Sequence, residues 1–238
     1  MPYSLTEEFV SVYRLHPLIP DDYSFFAATT GRPVEACTFS QIQGRVTDTK
    51  MRALELSNVL YSFGVAHPGA IRLHNYPKFL QQLERINGEI IDLSVVDIVR
   101  DRRRGIPRYN DFRQALRLPR VKSWAQLSSD VATQHKLREI YGSVDMVDTM
   151  VGMFAEELPR GFGFSDTAFR IFILMATRRL QSDRFLTVDF RPEIYSPLGI
   201  DWIEKNSLTS VILRHCPELA PALPSTANAF APFRKVAA

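Results

Sequence analysis

Near its start the chain runs Thr6-Glu7-Glu8-Phe9-Val10-Ser11-Val12-Tyr13-Arg14-Leu15-His16-Pro17-Leu18-Ile19-Pro20. Threonine followed by two acids is a helix opening, with the hydroxyl as cap and the carboxylates in the first turn. Phe9, Val12 and Tyr13 then form an apolar stripe at helical spacing. Pro17 closes the helix, because the residue before a proline avoids helical geometry. Tyr13 and His16 stand three residues apart, and such residues share a helix face. The spacing therefore predicts a phenol and an imidazole turned toward one partner.

Working outward, helix signals dominate. Thr47 to Phe63 carries Met51, Leu54, Leu56, Val59 and Leu60 on a broad face, closed by Gly64 and Pro68. Pro77 to Arg85 reads as a helix with proline in its first turn, followed by an Asn87-Gly88 turn. Further helices are predicted over Leu93–Arg104, Arg108–Leu116, Val131–Tyr141, Val144–Glu157, Asp166–Leu180 with Ser165 as cap, Pro197–Glu204 and Leu208–His215. Asp21 to Cys37 reads as loop, punctuated by Thr29-Thr30-Gly31-Arg32-Pro33. No segment shows the sustained alternation of a half-buried strand. The fold class expected is all-α. Residues 1–218 form the main domain, and residues 219–238, rich in Ala and Pro, form a loosely held tail.

The 238 residues are enough for a sizeable core, and 45% hydrophobic with 23% charged is ordinary for a globular chain. A net charge of +3 gives no reason to expect nucleic acid. Cys37 and Cys216 have no metal-ligand spacing; a bridge between them is open, a disulfide framework is not. The first residues lack the basic and apolar regions of a secretory signal. The most apolar run, Ile171–Ala176, is far short of the roughly 20 residues that span a bilayer. The expected localisation is soluble or peripheral to membranes.

Two more segments stand out. Arg100-Asp101-Arg102-Arg103-Arg104-Gly105-Ile106-Pro107-Arg108-Tyr109-Asn110-Asp111-Phe112-Arg113 reads, taken alone, as a solvated basic helix end that suits the helix dipole. Gly161-Phe162-Gly163-Phe164-Ser165-Asp166 leads into a core helix ending Arg178-Arg179-Leu180-Gln181-Ser182-Asp183-Arg184-Phe185. Taken alone it reads as a capped core helix with a polar end, although two adjacent arginines next to so apolar a run are less expected. His67, His74, His135 and His215 belong to no motif and read as structural or surface residues. Zinc spacings, a Ser-His-Asp order and phosphate-cradling glycine loops are not evident.

Together these segments carry a resemblance. Glu8-Phe9, Tyr13, His16-Pro17-Leu18 and Pro20-Asp21 resemble the proximal haem helix of the cyclooxygenase and fatty-acid α-dioxygenase branch of the animal-type haem peroxidases. Leu5-Thr6-Glu7 and Ser11-Val12-Tyr13-Arg14 bring it closer to the α-dioxygenases. The Arg-Asp-rich turn with Tyr109-Asn110 and Phe112-Arg113, the Leu73-His74-Asn75-Tyr76-Pro77 turn and the Arg178-Arg179 helix match the family in order, from Tyr3 to about Glu218.

The resemblance implies the C-terminal part of a mainly helical haem peroxidase fold, a partial catalytic domain. It implies haem b, with His16 binding the iron, Asn110 hydrogen-bonding His16 and Arg113 near the haem propionates. Tyr13 is implied as the catalytic residue, a tyrosyl radical that attacks a fatty acid. Arg179, with Arg178 beside it, is implied to hold the substrate carboxylate. The activity implied is haem-dependent oxygenation of fatty acids at the α carbon to 2-hydroperoxy acids, with fatty acid, dioxygen and hydrogen peroxide as partners. The family's distal histidine, and another that helps bind the substrate head, are not found here; both are expected on a separate or missing N-terminal segment. Two other readings stay open at this point: a haem-binding protein with weak peroxidase activity, and a non-catalytic remnant.

Overall fold

The computed structural model describes residues 4–223 and 228–236. In chain order it contains α1 (Glu7–Val12), a 3₁₀ turn (His16–Leu18), β1 (Asp22–Phe26), β2 (Pro33–Thr38), α2 (Thr47–Leu54), α3 (Leu56–Val65) and α4 (Lys78–Gln81). It continues with β3 (Leu83–Glu84), β4 (Ile90–Ile91), α5 (Leu93–Arg103), α6 (Tyr109–Ala115), α7 (Trp124–Leu127), α8 (Val131–Tyr141) and α9 (Thr149–Ala155). The last helices are α10 (Asp166–Ser182), α11 (Pro192–Lys205) and α12 (Leu208–His215). The fold is mainly helical, as expected. The chain divides into two compact units: residues up to Ile19 with Gly69–Thr187, and Pro20–Pro68 with the residues from Val188 onward.

The first unit carries the candidate site. Its core joins Val12 of α1 to Tyr109 and Phe112 of α6, Leu137 of α8, Met153 of α9, and Ile171 and Met175 of α10. Helix α1 lies against α5, α9 and α10. The caps form as the sequence implies. Thr6 Oγ1 accepts from Phe9 N at 3.3 Å, Asp92 accepts from Ser94 N and Val95 N, and Ser165 accepts from Ala168 N. Gly152 lets α9 meet α6: a Cβ there would fall 2.2 Å from the Tyr109 ring.

Several boundaries differ from expectation, each for a local reason. Thr47 to Phe63 is two helices, broken where Glu55 takes φ +64. The Pro77–Arg85 helix stops after one turn; Leu83–Glu84 instead pairs antiparallel with Ile90–Ile91 around the Asn87-Gly88 turn. Val144 to Glu157 divides into a 3₁₀ turn and α9 because Val147 and Asp148 are extended.

In the second unit, Asp21–Cys37 is a β-hairpin rather than a loop, with β1 antiparallel to β2 and an irregularity at Phe25/Phe26. The turn falls on the expected punctuation. What made the strands hard to read is their length, five and six residues with one buried side chain each, Phe25 and Cys37. Cys37 and Cys216 are both buried free thiols. Within residues 219–238, Leu219, Ala222, Leu223 and Phe233 are buried in this unit's core. Arg234 N donates to Ala222 O at 2.7 Å and Val236 N to Tyr61 Oη at 2.8 Å. Tyr3, at the edge of the resemblance, and residues 224–227 and 237–238 of that tail lie outside the described residues. Among the described residues no helix is long and apolar enough to cross a membrane.

Candidate active site

The Tyr13–His16 segment is not one helix. The last α-helical bond of α1 runs from Tyr13 N to Phe9 O at 2.8 Å. Tyr13 and Leu15 then have ψ of 26 and 17, and a 3₁₀ turn begins at His16, with Leu18 N donating to Leu15 O and Ile19 N to His16 O. Pro17 lacks an N–H, so it suits the start of that turn. The expectation of one shared helix face is therefore corrected: the two side chains pack against different elements.

His16 faces the polar side. Its Nδ1 lies 3.2 Å from Tyr76 Oη and 3.7 Å from Asp97 Oδ2. Tyr76 Oη donates to Asp97 Oδ2 at 3.3 Å, and Arg14 Nη2 meets Asp97 Oδ1 at 3.1 Å. Asp97 is 2% exposed, so its charge is matched by protein groups rather than by water. One helical turn further along α5, the buried Asp101 accepts from Ser11 Oγ at 2.6 Å. Burial pushes the carboxyl groups of Asp97 and Asp101 above the usual aspartate range, with Arg14 pulling both back. Burial likewise lowers the pKa of His16, against the attraction of Asp97, and so favours the neutral ring. Burial and the Asp97 charge push the Tyr76 phenol up.

Tyr13 faces the aromatic side. Its ring stacks on Phe9 at 5.1 Å and on Phe172 of α10 at 5.9 Å and 4°. Phe172 continues to Phe169 at 5.8 Å and Phe164 at 6.0 Å. Tyr13 is 51% exposed, and no side-chain hydrogen bond to its hydroxyl is formed among the described residues. Arg179 follows Phe172 by seven residues, two turns, so the two share a face about 10 Å apart along the axis. Arg178 is rotated about 100° from that face. The Arg179 guanidinium is 4.0 Å from Asp183 and more than half exposed. Arg178 is exposed as well.

Asn110 and Arg113 have other partners than those expected. The Asn110 side chain, fully buried, accepts from Val121 N at 2.8 Å and donates to Val121 O at 2.9 Å and to Asp145 Oδ1 at 2.6 Å. Both amide hydrogens are thus used, and the expected bond to His16 is not formed. Arg113 donates to Glu156 Oε1 at 3.0 Å and Thr167 Oγ1 at 2.7 Å, while Tyr109 Oη donates to Glu156 Oε2 at 2.9 Å. In this arrangement Arg113 ties α6 to α9 and α10.

Sequence reasoning missed Arg14, Tyr76, Asp97 and Asp101 as members of the site. A signal existed: Asp97 and Asp101 are acids one turn apart on the inward side of α5, where an unpaired carboxylate would be costly. Nothing in the sequence said which cation or hydroxyl would meet them.

The residues present fit a haem iron. Burial favours the neutral form of the His16 ring, its Nδ1 is engaged, and Nε2 has no hydrogen-bond partner among the described residues. A neutral imidazole with its second nitrogen held is what a metal ligand requires. Among the described residues no cluster of three or more His, Cys, Asp or Glu is placed to hold a metal ion.

The model of the animal haem peroxidase family matches residues 1–229, and the chain belongs to that family. Over 97% of its length it is 39% identical to the α-dioxygenase PIOX of rice, of which it covers 40%, and 36% identical to α-dioxygenase 1 of Arabidopsis thaliana, of which it covers 38%. The crystal structure of Oryza sativa fatty acid α-dioxygenase superposes with a TM-score of 0.88 at 38% identity, over 97% of this chain and 40% of that one. Peroxidase A from Dictyostelium discoideum, 21% identical at a TM-score of 0.75, shares the fold. The chain therefore spans about two fifths of the length of the α-dioxygenases it matches.

Proposed function

We propose that this chain carries the haem-ligand and radical-forming portion of a fatty-acid α-dioxygenase, completed by a segment that supplies the distal side. Haem b bound through His16 would supply, with hydrogen peroxide, a one-electron oxidant. Tyr13 then gives up its phenolic proton and one electron. The tyrosyl radical takes a hydrogen atom from the α carbon of a fatty acid whose carboxylate Arg179 holds. Dioxygen adds to that carbon, and the hydrogen atom returned from Tyr13 to the peroxyl group gives the 2-hydroperoxy acid and restores the tyrosyl radical. Fixing the acid head selects the carbon, because reacting atoms must sit within about 3–3.5 Å.

The observation that carries this reading is the Tyr13 ring stacked on the α10 face that also bears Arg179. That placement gives a phenol and a carboxylate-binding guanidinium a common apolar wall. It also favours Arg179 over Arg178 as the anchor. Asn110 and Arg113 would touch a haem only by leaving Val121, Asp145 and Glu156.

The test joins the chain to the N-terminal portion of the rice relative and assays 2-hydroperoxy acid from palmitate with peroxide. Turnover that is lost in His16→Ala and Tyr13→Phe supports the reading. Haem binding with peroxidase activity but no fatty-acid product would leave only the peroxidatic reading, which needs His16 and not Tyr13 or Arg179. Full turnover by Tyr13→Phe would remove the radical role.

A further inference from the structure

We infer that Tyr76 and Asp97, rather than Asn110, are the positioning residues that hold the Nδ1–H of His16 and leave its Nε2 lone pair facing outward. The inference rests on the reading of His16 as an iron ligand, but its geometry stands by itself. A phenol has one hydrogen to donate. Asp97, paired with Arg14 at 3.1 Å, is acceptor-only as a carboxylate, and Tyr76 Oη lies 3.3 Å from it. The Tyr76 hydrogen therefore goes to Asp97, and the Tyr76 oxygen is left to accept. The group 3.2 Å away on its other side is His16 Nδ1, which must then be the donor. The proton order runs from His16 Nδ1–H to Tyr76 Oη and from Tyr76 Oη–H to Asp97. An imidazole with hydrogen on Nδ1 carries its lone pair on Nε2.

Asn110 is engaged elsewhere in the same structure: its oxygen accepts from Val121 N, and its amide hydrogens go to Val121 O and Asp145 Oδ1. The two arrangements differ chemically. An asparagine oxygen accepts as a neutral dipole, whereas the tyrosine relays a buried carboxylate and makes the imidazole a stronger donor to a metal. Arg14, 3.1 Å from Asp97, moderates that charge.

The test uses the whole 238-residue chain with histidine labelled in ¹⁵N. Long-range ¹H–¹⁵N correlation, without haem, reads the His16 tautomer directly, with His16→Ala assigning the signal. The wild type is expected in the Nδ1–H form. Tyr76→Phe and Asp97→Asn, both close in shape to the native residues, are expected to shift the tautomer ratio by about 10-fold, the effect of one lost hydrogen bond. Asn110→Ala, where it folds, is expected to leave it unchanged. With haemin added, the same two substitutions are expected to raise the ferric/ferrous midpoint, as a weaker donor ligand does. An Nε2–H wild type, or a tautomer unmoved by both substitutions, would overturn the inference whether or not haem binds. A haemin spectrum unaffected by His16→Ala would overturn the ligand reading instead, leaving the tautomer result to judge the relay.

Discussion

The two sides of the Tyr13–His16 segment are built by opposite means. On the His16 side the contacts are polar: Tyr76 and Asp97, with Arg14 paired to Asp97, gather at one imidazole nitrogen, and Ser11 with Asp101 fastens the preceding turn. On the Tyr13 side the neighbours are aromatic, the ring is half exposed and its hydroxyl has no side-chain partner among the described residues. The difference suits the proposed roles. A metal ligand must keep one orientation and one tautomer, which hydrogen bonds enforce. A phenol that meets a substrate must keep its oxygen accessible, and stacking positions the ring without occupying that oxygen.

The sharpest way to break this contrast is Tyr13→Phe in the completed enzyme. Stacking on Phe9 and Phe172 survives, so stability should stay within about 0.5 kcal/mol by thermal melting, while 2-hydroperoxy acid formation falls by at least about 10³-fold, roughly 4 kcal/mol of barrier. Next is the arginine pair. Arg179→Ala should raise the KM for a fatty acid by about 10- to 100-fold, the range for a hydrogen bond to a charged group, and Arg178→Ala by no more than about twofold. Equal effects would show that the α10 face does not choose the anchor.

Gly69→Ala probes the held side. A Cβ at Gly69 would lie 1.9 Å from Pro17 O, and Gly69 N donates to Leu18 O at 3.0 Å, so the His16 turn must move. A loss of about 1–3 kcal/mol in urea unfolding is expected, together with weaker haemin uptake; Tyr13 should keep its stacking.

The smallest effect concerns Asp148, which joins α5 to α6 and α8. Burial opposes its charge, yet hydrogen bonds from Arg102 and Tyr141, with the Arg108 charge nearby, hold its pKa below the usual carboxylate range. A lowered folded-state value means stability present above the unfolded pKa and lost as pH falls through the folded one. Wild-type stability should therefore decline below about pH 4, and Asp148→Asn should lack that part of the slope in urea midpoints measured across pH.

Much of this was readable in advance where the cause is local. Thr6, Asp92 and Ser165 cap helices because a short side-chain oxygen reaches the next backbone N–H. The boundaries of Val131–Tyr141 and Leu208–His215 coincide with the structure for the same reason. Where partners come from far along the chain, reading failed. The β1–β2 hairpin needed pairing across a turn, and Glu55 broke a helix whose apolar pattern ran straight through it.

The site divides in the same way. Membership in the haem peroxidase family is legible because its motifs are contiguous, and the proposed roles of Tyr13, His16 and Arg179 rest on those same motifs. By itself the sequence determined a mainly helical chain with a tyrosine and a histidine near its start and an arginine pair ending a long apolar helix. Only the tertiary structure decided that Tyr13 and His16 turn to different neighbours, that Asn110 is taken by Val121 and Asp145, and that Tyr76 and Asp97 lie beside the imidazole. The Tyr76–Asp97 and His16–Tyr76 contacts join residues 21 and 60 positions apart, and a linear pattern carries no information about which buried charge will find which donor.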